Sequence, residues 1–231
     1  MTTARMTATN TNNTIDQPII EVMANYSVDE LAALSKISSK QAEVEYKRWQ
    51  LLDTQTALRQ PAIELFDGLM YRAIKRTLLS KEEFSYLEQC VAITTALYGV
   101  IPAFYPISEH RLDFMQSIQV AGMSLKNYNR ERYNASVEQE ELVISLLSSE
   151  FEEVFSKEVR EQFVKVVFME EKEGVLKTHS TISKKARGAF VTVMMENQIK
   201  TIEEVKQLKV AEFVYRETLS TDHKLVFVKQ K

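Results

Sequence analysis

Cysteine and histidine are scarce in this 231-residue chain. Cys90 is its single cysteine, and a lone thiol excludes an internal disulfide framework and a zinc site built from several cysteines. The three histidines, His110, His179 and His223, are scattered and do not have the spacing of a metal site. We therefore expect neither a bound metal nor a cofactor.

Glycine and proline are also rare, with five and four residues. No two glycines are close enough to form a phosphate loop of the Rossmann or Walker type, which excludes those nucleotide sites. The chain has no apolar run of membrane-spanning length and no charged-then-apolar signal peptide. We expect a cytoplasmic protein with no membrane partner.

What the sequence does contain is a series of clear helix starts. Capping boxes, in which Ser or Thr is followed three residues later by Glu or Gln, begin at Ser27, Ser38, Ser80 and Thr201. Apolar runs typical of strands lie at residues 91–96, 142–147, 163–169 and 225–228. Helices and strands are mixed without a break in composition. This pattern predicts an α/β fold, a mixed sheet flanked by helices, in one domain.

Several boundaries and core positions follow from the same patterns. Residues 1–15 are rich in Thr and Asn and start no periodic pattern, so we expect them to be disordered and the domain to span residues 16–231. The second capping box predicts a helix that buries Ala42, Tyr46 and Trp49. Residues 61–66 are expected to be extended, followed by a helix with Met70, Ile74 and Leu78 on one face.

Basic residues are concentrated in three segments, although the formal net charge is −3. Residues 172–188 carry five basic side chains and one acidic one, residues 72–76 carry three basic side chains, and residues 126–132 carry three against one acidic. Residues 138–161 hold eight glutamates. This segregation predicts either a basic cleft inside an acidic shell, which would focus an anionic ligand, or solvated helix faces that never meet.

The most specific basic segment is the helix start at residues 177–188. Hydroxyl residues precede the helix, whose free N–H groups favour an anion, and Lys184, Lys185 and Arg187 follow in its first turns. Positive side chains there are mildly unfavourable for the helix unless an anion compensates them. The pattern indicates phosphate contact, with a solvated helix face as the alternative.

Residues 31–46 have the spacing of a helix-hairpin-helix, in which a tight hairpin offers backbone N–H groups to a DNA phosphate. Lys36 and Ser38 occupy the two positions that are normally glycine. Two packed helices with no DNA contact are the alternative.

The usual catalytic constellations are poorly supported. Cys90 with His110 or His179 would make a nucleophile pair, but a lone cysteine is more often buried packing. Residues 148–150, Ser-Ser-Glu, follow a buried strand, where α/β proteins often place ligands, yet no base is visibly paired with either serine. We assign no catalytic residue.

Four ordered motifs make the chain resemble a known family. They are Phe-Asp-Gly-Leu-Met-Tyr-Arg at 66–72, Leu-Tyr-Gly-Val-Ile-Pro at 97–102, Ser-Leu-Leu-Ser-Ser-Glu-Phe at 145–151 and Ser-Lys-Lys-Ala-Arg-Gly at 183–188. Together they resemble the YaaA peroxide stress protein family, most closely its Gram-positive coccal members, over residues 18 to 229.

The resemblance implies a cytosolic protein made under hydrogen peroxide stress that limits damage from unincorporated iron. It also implies a single α/β domain with a basic cleft, a helix-hairpin-helix at residues 36–38, and DNA as the partner. With the basic clusters included, the expected contacts are Lys36, Ser38, Lys40, Arg72, Lys75, Arg76, Arg111, Lys126, Lys184, Lys185 and Arg187. Such contacts would address phosphates without reading sequence. The alternatives are an enzyme acting on a phosphorylated small molecule or nucleic acid in the same cleft, and a family member without activity.

The chain departs from the family pattern in three places. Family members begin with a short apolar strand and a Pro-Thr-Ala-Lys or Ser-Pro-Ala-Lys motif, whereas residues 1–15 are polar and lack it. Asp67 stands where many relatives have asparagine, and Asn129 where they tend to have tryptophan. The first departure predicts that a core strand and a cleft lysine are missing.

Overall fold

The computed structural model describes residues 16–229, so the expectation of disorder for residues 1–15 lies outside the described residues. Three helices open the fold: α1 (Gln17–Ala24), α2 (Val28–Ser35) and α3 (Ser39–Asp53). The predicted capping boxes at Ser27 and Ser38 start α2 and α3, and both are confirmed. α3 packs on both α1 and α2.

The middle of the chain is made of short elements. They are β1 (Gln60–Pro61), α4 (Ala62–Leu65), a 3₁₀ turn (Tyr71–Ala73), α5 (Lys81–Cys90), β2 (Ala92–Thr95), β3 (Gly99–Pro102), β4 (Pro106–Ile107), β5 (Gln119–Val120), β6 (Met123–Ser124) and α6 (Leu125–Ala135). β2 pairs with β3, β1 with β4, and β5 with β6, each pair antiparallel. The predicted capping box at Ser80 is confirmed at the start of α5.

A mixed sheet dominates the C-terminal half. Its members and flanking helices are β7 (Ile144–Ser145), α7 (Ser149–Glu152), α8 (Lys157–Arg160), β8 (Val164–Lys172), β9 (Val175–Lys177), α9 (Ser180–Glu196), α10 (Ile202–Lys206), β10 (Lys209–Val210), β11 (Phe213–Tyr215) and β12 (Lys224–Lys229). The strands lie in the order β10-β11-β12-β8-β7, with β7 and β12 parallel to β8 and β9 antiparallel to it. The prediction of a mixed α/β fold is confirmed. None of the helices in the described range is long and apolar enough to cross a membrane.

Three local expectations were wrong. Residues 62–65 form a short helix rather than an extended segment, and the expected helix through Met70 and Ile74 is reduced to the single 3₁₀ turn. Leu78, expected on its buried face, is 96% exposed. In α3, Glu45 is buried together with Ala42 and Trp49, whereas Tyr46 is 36% exposed.

Two apolar cores meet along α9. Ala186 and Phe190 pack in the core under the mixed sheet, and Val191 and Met195 pack in the larger core formed with the N-terminal half. Because one helix contributes to both cores, its position fixes how the two halves of the fold pack together.

The position of α9 depends on a glycine. A Cβ atom built on Gly188 would lie 2.0 Å from the Met70 carbonyl oxygen and 2.8 Å from the Ala73 Cβ. Glycine therefore allows α9 to approach the 3₁₀ turn closely. The hydroxyl of Thr192, one turn later, accepts a hydrogen bond from the Lys75 backbone N–H at 2.9 Å.

We expect Gly188→Ala to lower the free energy of unfolding by roughly 1–3 kcal/mol, because the added methyl group must push α9 away from residues 70–73. This loss should exceed the gain of about 1 kcal/mol that alanine brings inside a helix. Urea denaturation measures the difference. Thr181→Ala, at an exposed position of the same helix, is the control and should leave stability unchanged or slightly raised. If Gly188→Ala were as stable as the wild type, the close approach of α9 to residues 70–73 would not contribute to stability.

Candidate functional site

A cavity of about 500 Å³ lies between α9, residues 68–74 and the ends of several strands. Most of its lining is apolar, with aromatic rings from both halves of the fold. Its polar and titratable lining residues are Glu140, Ser145, Ser148, Lys184, Arg187 and Lys200, together with Thr94, Tyr71, Tyr86 and Cys90. Of the eleven expected contacts with DNA, Lys184 and Arg187 line this cavity. Because its walls are mainly apolar, the expected basic cleft is not shown.

Arg187 is the most unusual cation of the site. It projects from the second turn of α9, and its Nε atom is buried without a hydrogen-bond partner among the described residues. Burial lowers the pKa of the guanidinium, and the nearby Glu152 carboxylate partly opposes this shift. A buried donor without a partner costs free energy, so Arg187 is prepared to bind an acceptor.

Lys184 and Lys185 precede Arg187 in α9 by three and two residues. Both are exposed, and neither forms an ion pair with any residue in the described part of the chain. His179, the residue before α9, makes no side-chain capping bond to the helix start. The start of α9 thus presents two unpaired lysines beside a helix terminus whose dipole favours anions.

A polar cluster at the end of β7 lies close to Arg187. The Ser145 hydroxyl donates a hydrogen bond of 2.9 Å to Glu152 Oε1, and Lys165 Nζ donates one of 2.8 Å to Glu152 Oε2. Sequence reasoning considered Ser148 and its neighbour but missed Ser145 and Glu152. The two residues are seven positions apart and belong to different elements, β7 and α7, so no local sequence pattern links them. The one available signal was a serine inside an otherwise apolar run.

Glu150 connects two of the basic clusters. Burial raises the pKa of its carboxyl, and the charge of Asp113 raises it further, whereas Lys184 and Lys126 lower it. One lysine from α6 and one from α9 therefore both influence the pKa of this carboxyl.

Four of the expected DNA-binding residues already have protein partners. Arg72 makes a bidentate ion pair with Asp67, at 2.9 and 2.6 Å, and Lys126 pairs with Glu153 at 2.8 Å. The other two are half-buried. Lys75 contacts Glu83 at 2.6 Å and Glu196 at 3.6 Å, and Arg76 Nη1 donates to the carbonyls of Ile63, Glu64 and Phe66.

The α2–α3 hairpin uses its own backbone donors. The N–H groups of Lys36 and Ile37 both bond to the Ala32 carbonyl, and the Ser38 N–H bonds to the Gln41 side chain. Lys36 adopts the left-handed conformation, at φ 51°, where glycine was expected. Lys36, Ser38 and Lys40 are exposed and α2 packs on α3, but a helix-hairpin-helix element is not shown.

The remaining candidates are dispersed. Arg111 is exposed and does not line the cavity. Burial raises the pKa of the Cys90 thiol, which disfavours the nucleophilic thiolate. His110 packs against Trp49 and Tyr98, and burial lowers the pKa of its imidazole to about 4. Among residues 16–229, no three His, Cys, Asp or Glu side chains gather as a metal site would need.

The raised pKa of Glu150 has a consequence for stability. Because the folded protein binds this proton more tightly than the unfolded chain, the contribution of Glu150 is fully present below its ordinary pKa of 4.5 and is lost as pH rises through the folded value. We expect Glu150→Gln to be more stable than the wild type at pH 7 and equal to it below pH 4. Denaturation at both pH values, with the exposed Glu138→Gln as a control, measures this. If Glu150→Gln gained less stability at pH 7 than at pH 4, the pKa of Glu150 would not be raised in the folded protein.

The chain is similar to known proteins over most of its length. Residues 1–219 match the family model described as peroxide stress protein YaaA. UPF0246 proteins of Streptococcus pneumoniae strains ATCC 700669 / Spain 23F-1 and JJA are each 52% identical over 214 residues, which are 93% of this chain and 88% of the relative. The corresponding protein of strain CGSP14 is 51% identical over the same length. Membership of this family supports a role in peroxide stress, and the chain belongs to the YaaA peroxide stress protein family.

Proposed function

We propose that this protein acts in peroxide stress by binding DNA through phosphate contacts, without sequence preference, and so limits the damage done by unincorporated iron. The observation that carries the proposal is the start of α9, where Lys184 and Lys185 are exposed without ion pairs and Arg187 keeps a buried donor unused. Family membership supports the link to peroxide stress. Iron-generated oxidants attack DNA, so a protein that covers the backbone would protect it.

The contact set of this proposal is smaller than the eleven residues of the sequence prediction. A cation that already holds a carboxylate gains less from a phosphate, because it must give up or share its partner. Arg72, Lys75 and Lys126 are in this position, and Arg76 is occupied by backbone carbonyls. The proposal therefore rests on Lys184, Lys185 and Arg187, with Lys36, Lys40 and Arg111 as outlying contributors.

Three phosphate contacts set the expected salt dependence. Each neutralised phosphate contributes about −0.9 to the slope of log affinity against log salt, so the wild type should show a slope of roughly −3 on duplex DNA. Replacing Lys184 and Lys185 together with alanine should weaken binding to all sequences alike and flatten the slope by about 2. Fluorescence anisotropy over a salt series measures both quantities.

Lys126→Ala is the matched control, because this lysine is paired with Glu153 and should leave the slope nearly unchanged. If the double mutant kept the affinity and salt slope of the wild type, the start of α9 would not be part of the DNA-binding surface. Loss of affinity in Lys126→Ala equal to that of the double mutant would contradict the distinction between paired and unpaired cations.

The second candidate function is an enzyme that acts on a phosphorylated small molecule or nucleic acid in the cavity. The hydrogen bond from Ser145 to Glu152 favours it, because a hydroxyl held by a carboxylate is the arrangement that nucleophile activation requires. Arg187, near Glu152, would hold the phosphate of such a substrate.

Ser145→Ala separates the two functions. If the cavity is catalytic, phosphate release from a panel of nucleotides and p-nitrophenyl phosphate should be measurable with the wild type and fall at least about a hundredfold with Ser145→Ala. If the protein only binds DNA, the wild type should release no phosphate, and Ser145→Ala should bind duplex DNA with unchanged affinity and salt slope. Measurable turnover that Ser145→Ala retains in full would exclude Ser145 from catalysis.

A further inference from the structure

An exposed aromatic pair lies on the outer side of α5. The rings of Phe84 and Phe104 are stacked, with centroids 4.3 Å apart and planes inclined by 19°, and Phe84 is 43% exposed. Phe104 belongs to the turn between β3 and β4 and is half-buried. Single exposed apolar residues are common on protein surfaces, but two stacked rings from separate segments form one larger apolar surface. Covering such a surface with a partner is favourable, because it removes apolar area from water.

Charged residues flank Phe84 along α5. Lys81 lies three residues before Phe84 and Glu88 lies four residues after it, and these spacings place all three on one face of the helix. Lys81 and Glu88 are both exposed, and neither forms an ion pair with any residue in the range 16–229. We call Lys81, Phe84, Ser85 and Glu88 the α5 face.

The order of the two charges does not favour the helix itself. Lys81 is the first residue of α5, and Glu88 lies in its last turn. The helix dipole favours acidic side chains in the first turn and basic side chains in the last turn, which is the opposite order. A partner that offers a carboxylate to Lys81 and a cation to Glu88 would compensate both charges.

A second copy of α5, running antiparallel, offers these partners. Lys81 and Glu88 are equally far from the midpoint between residues 84 and 85, about 5 Å along the helix axis at 1.5 Å per residue. A two-fold axis through this midpoint places Lys81 opposite the partner's Glu88, and Glu88 opposite the partner's Lys81. Phe84 then lies opposite the partner's Ser85, which is small enough to leave room for the ring. Both ion pairs therefore flank an apolar centre.

We propose that the protein forms a two-fold symmetric dimer through antiparallel contact of two α5 faces. A two-fold contact uses the same surface on both copies, so that surface must complement itself, as the order of charges on the α5 face does. A nucleic acid is a poor occupant, because the exposed charged residues of α5 are one lysine and two glutamates. The contact involves one ten-residue helix and a turn, so we expect a weak, reversible dimer that buries less than about 1,200 Å² in total.

The α5 face is remote from the cations at the start of α9. Tyr86 of α5 donates a hydrogen bond of 2.6 Å to the carbonyl of Ile199, which lies just beyond the last residue of α9. The 17 residues of α9 span about 25 Å, so Lys184 and Lys185 lie near the other end of this helix. The dimer would leave both lysines uncovered, and the proposal does not rest on DNA binding.

Sedimentation equilibrium of the full chain, between about 10 µM and 1 mM, tests the proposal. We expect the wild type to change from monomer to dimer over this range. Lys81→Glu and Glu88→Lys each place like charges opposite one another at two points of the dimer, so each should weaken association at least about tenfold. Val175→Glu is the control, because this exposed residue of β9 lies at the other end of α9 and should leave association unchanged.

Exchanging the two charges gives a sharper test. The double variant Lys81→Glu/Glu88→Lys restores both ion pairs with their signs reversed, so it should dimerise as the wild type does. A mixture of the two single variants should form a heterodimer more readily than either variant forms a homodimer, because every charge pair across the interface is then attractive. Each substitution also improves the charge order for the helix dipole, so the variants should fold, with a monomer Tm at least as high as that of the wild type.

Three results would overturn the proposal. The first is a wild type that stays monomeric up to about 1 mM, which would leave the aromatic pair to a different protein. The second is a dimer that Lys81→Glu and Glu88→Lys do not weaken, which would mean that another surface forms it. The third is a double variant that associates as poorly as the single variants, which would contradict the antiparallel pairing of Lys81 with the partner's Glu88.

Discussion

The close contact between α9 and residues 70–73 is the constraint on which the rest of the structure depends. It exists because Gly188 has no side chain where the Met70 carbonyl oxygen lies. Through it, α9 packs into the sheet core with one face and into the larger core with another. A displacement of α9 would therefore move both cores and, with them, the cations in its first turns. The site and the stability of the fold share this one contact.

The same packing sorts the basic residues into two classes. Those that lie between elements are held by carboxylates or carbonyls and stabilise the fold: Lys75 joins α5 to α9, and Arg132 of α6 binds Asp16 and the Ala96 and Leu97 carbonyls. Those at the open end of α9 have no such partners. The net charge of a segment does not distinguish these classes. An arginine that holds the fold together and an arginine that is free to bind phosphate each add one positive charge to the segment.

The parts of the fold that local chemistry determines were predictable from the sequence. All four capping boxes form, because each requires only residues three positions apart. The failures concern long-range contacts. Residues 70–78 carry a helical pattern, but packing on α9 and the bonds of Arg76 to three carbonyls hold them in a different path. Ser145 and Glu152 meet only because β7 and α7 fold back on one another. Residues 142–147 were predicted as a strand, but only Ile144 and Ser145 pair with β8, because the extent of pairing depends on a distant segment of the chain.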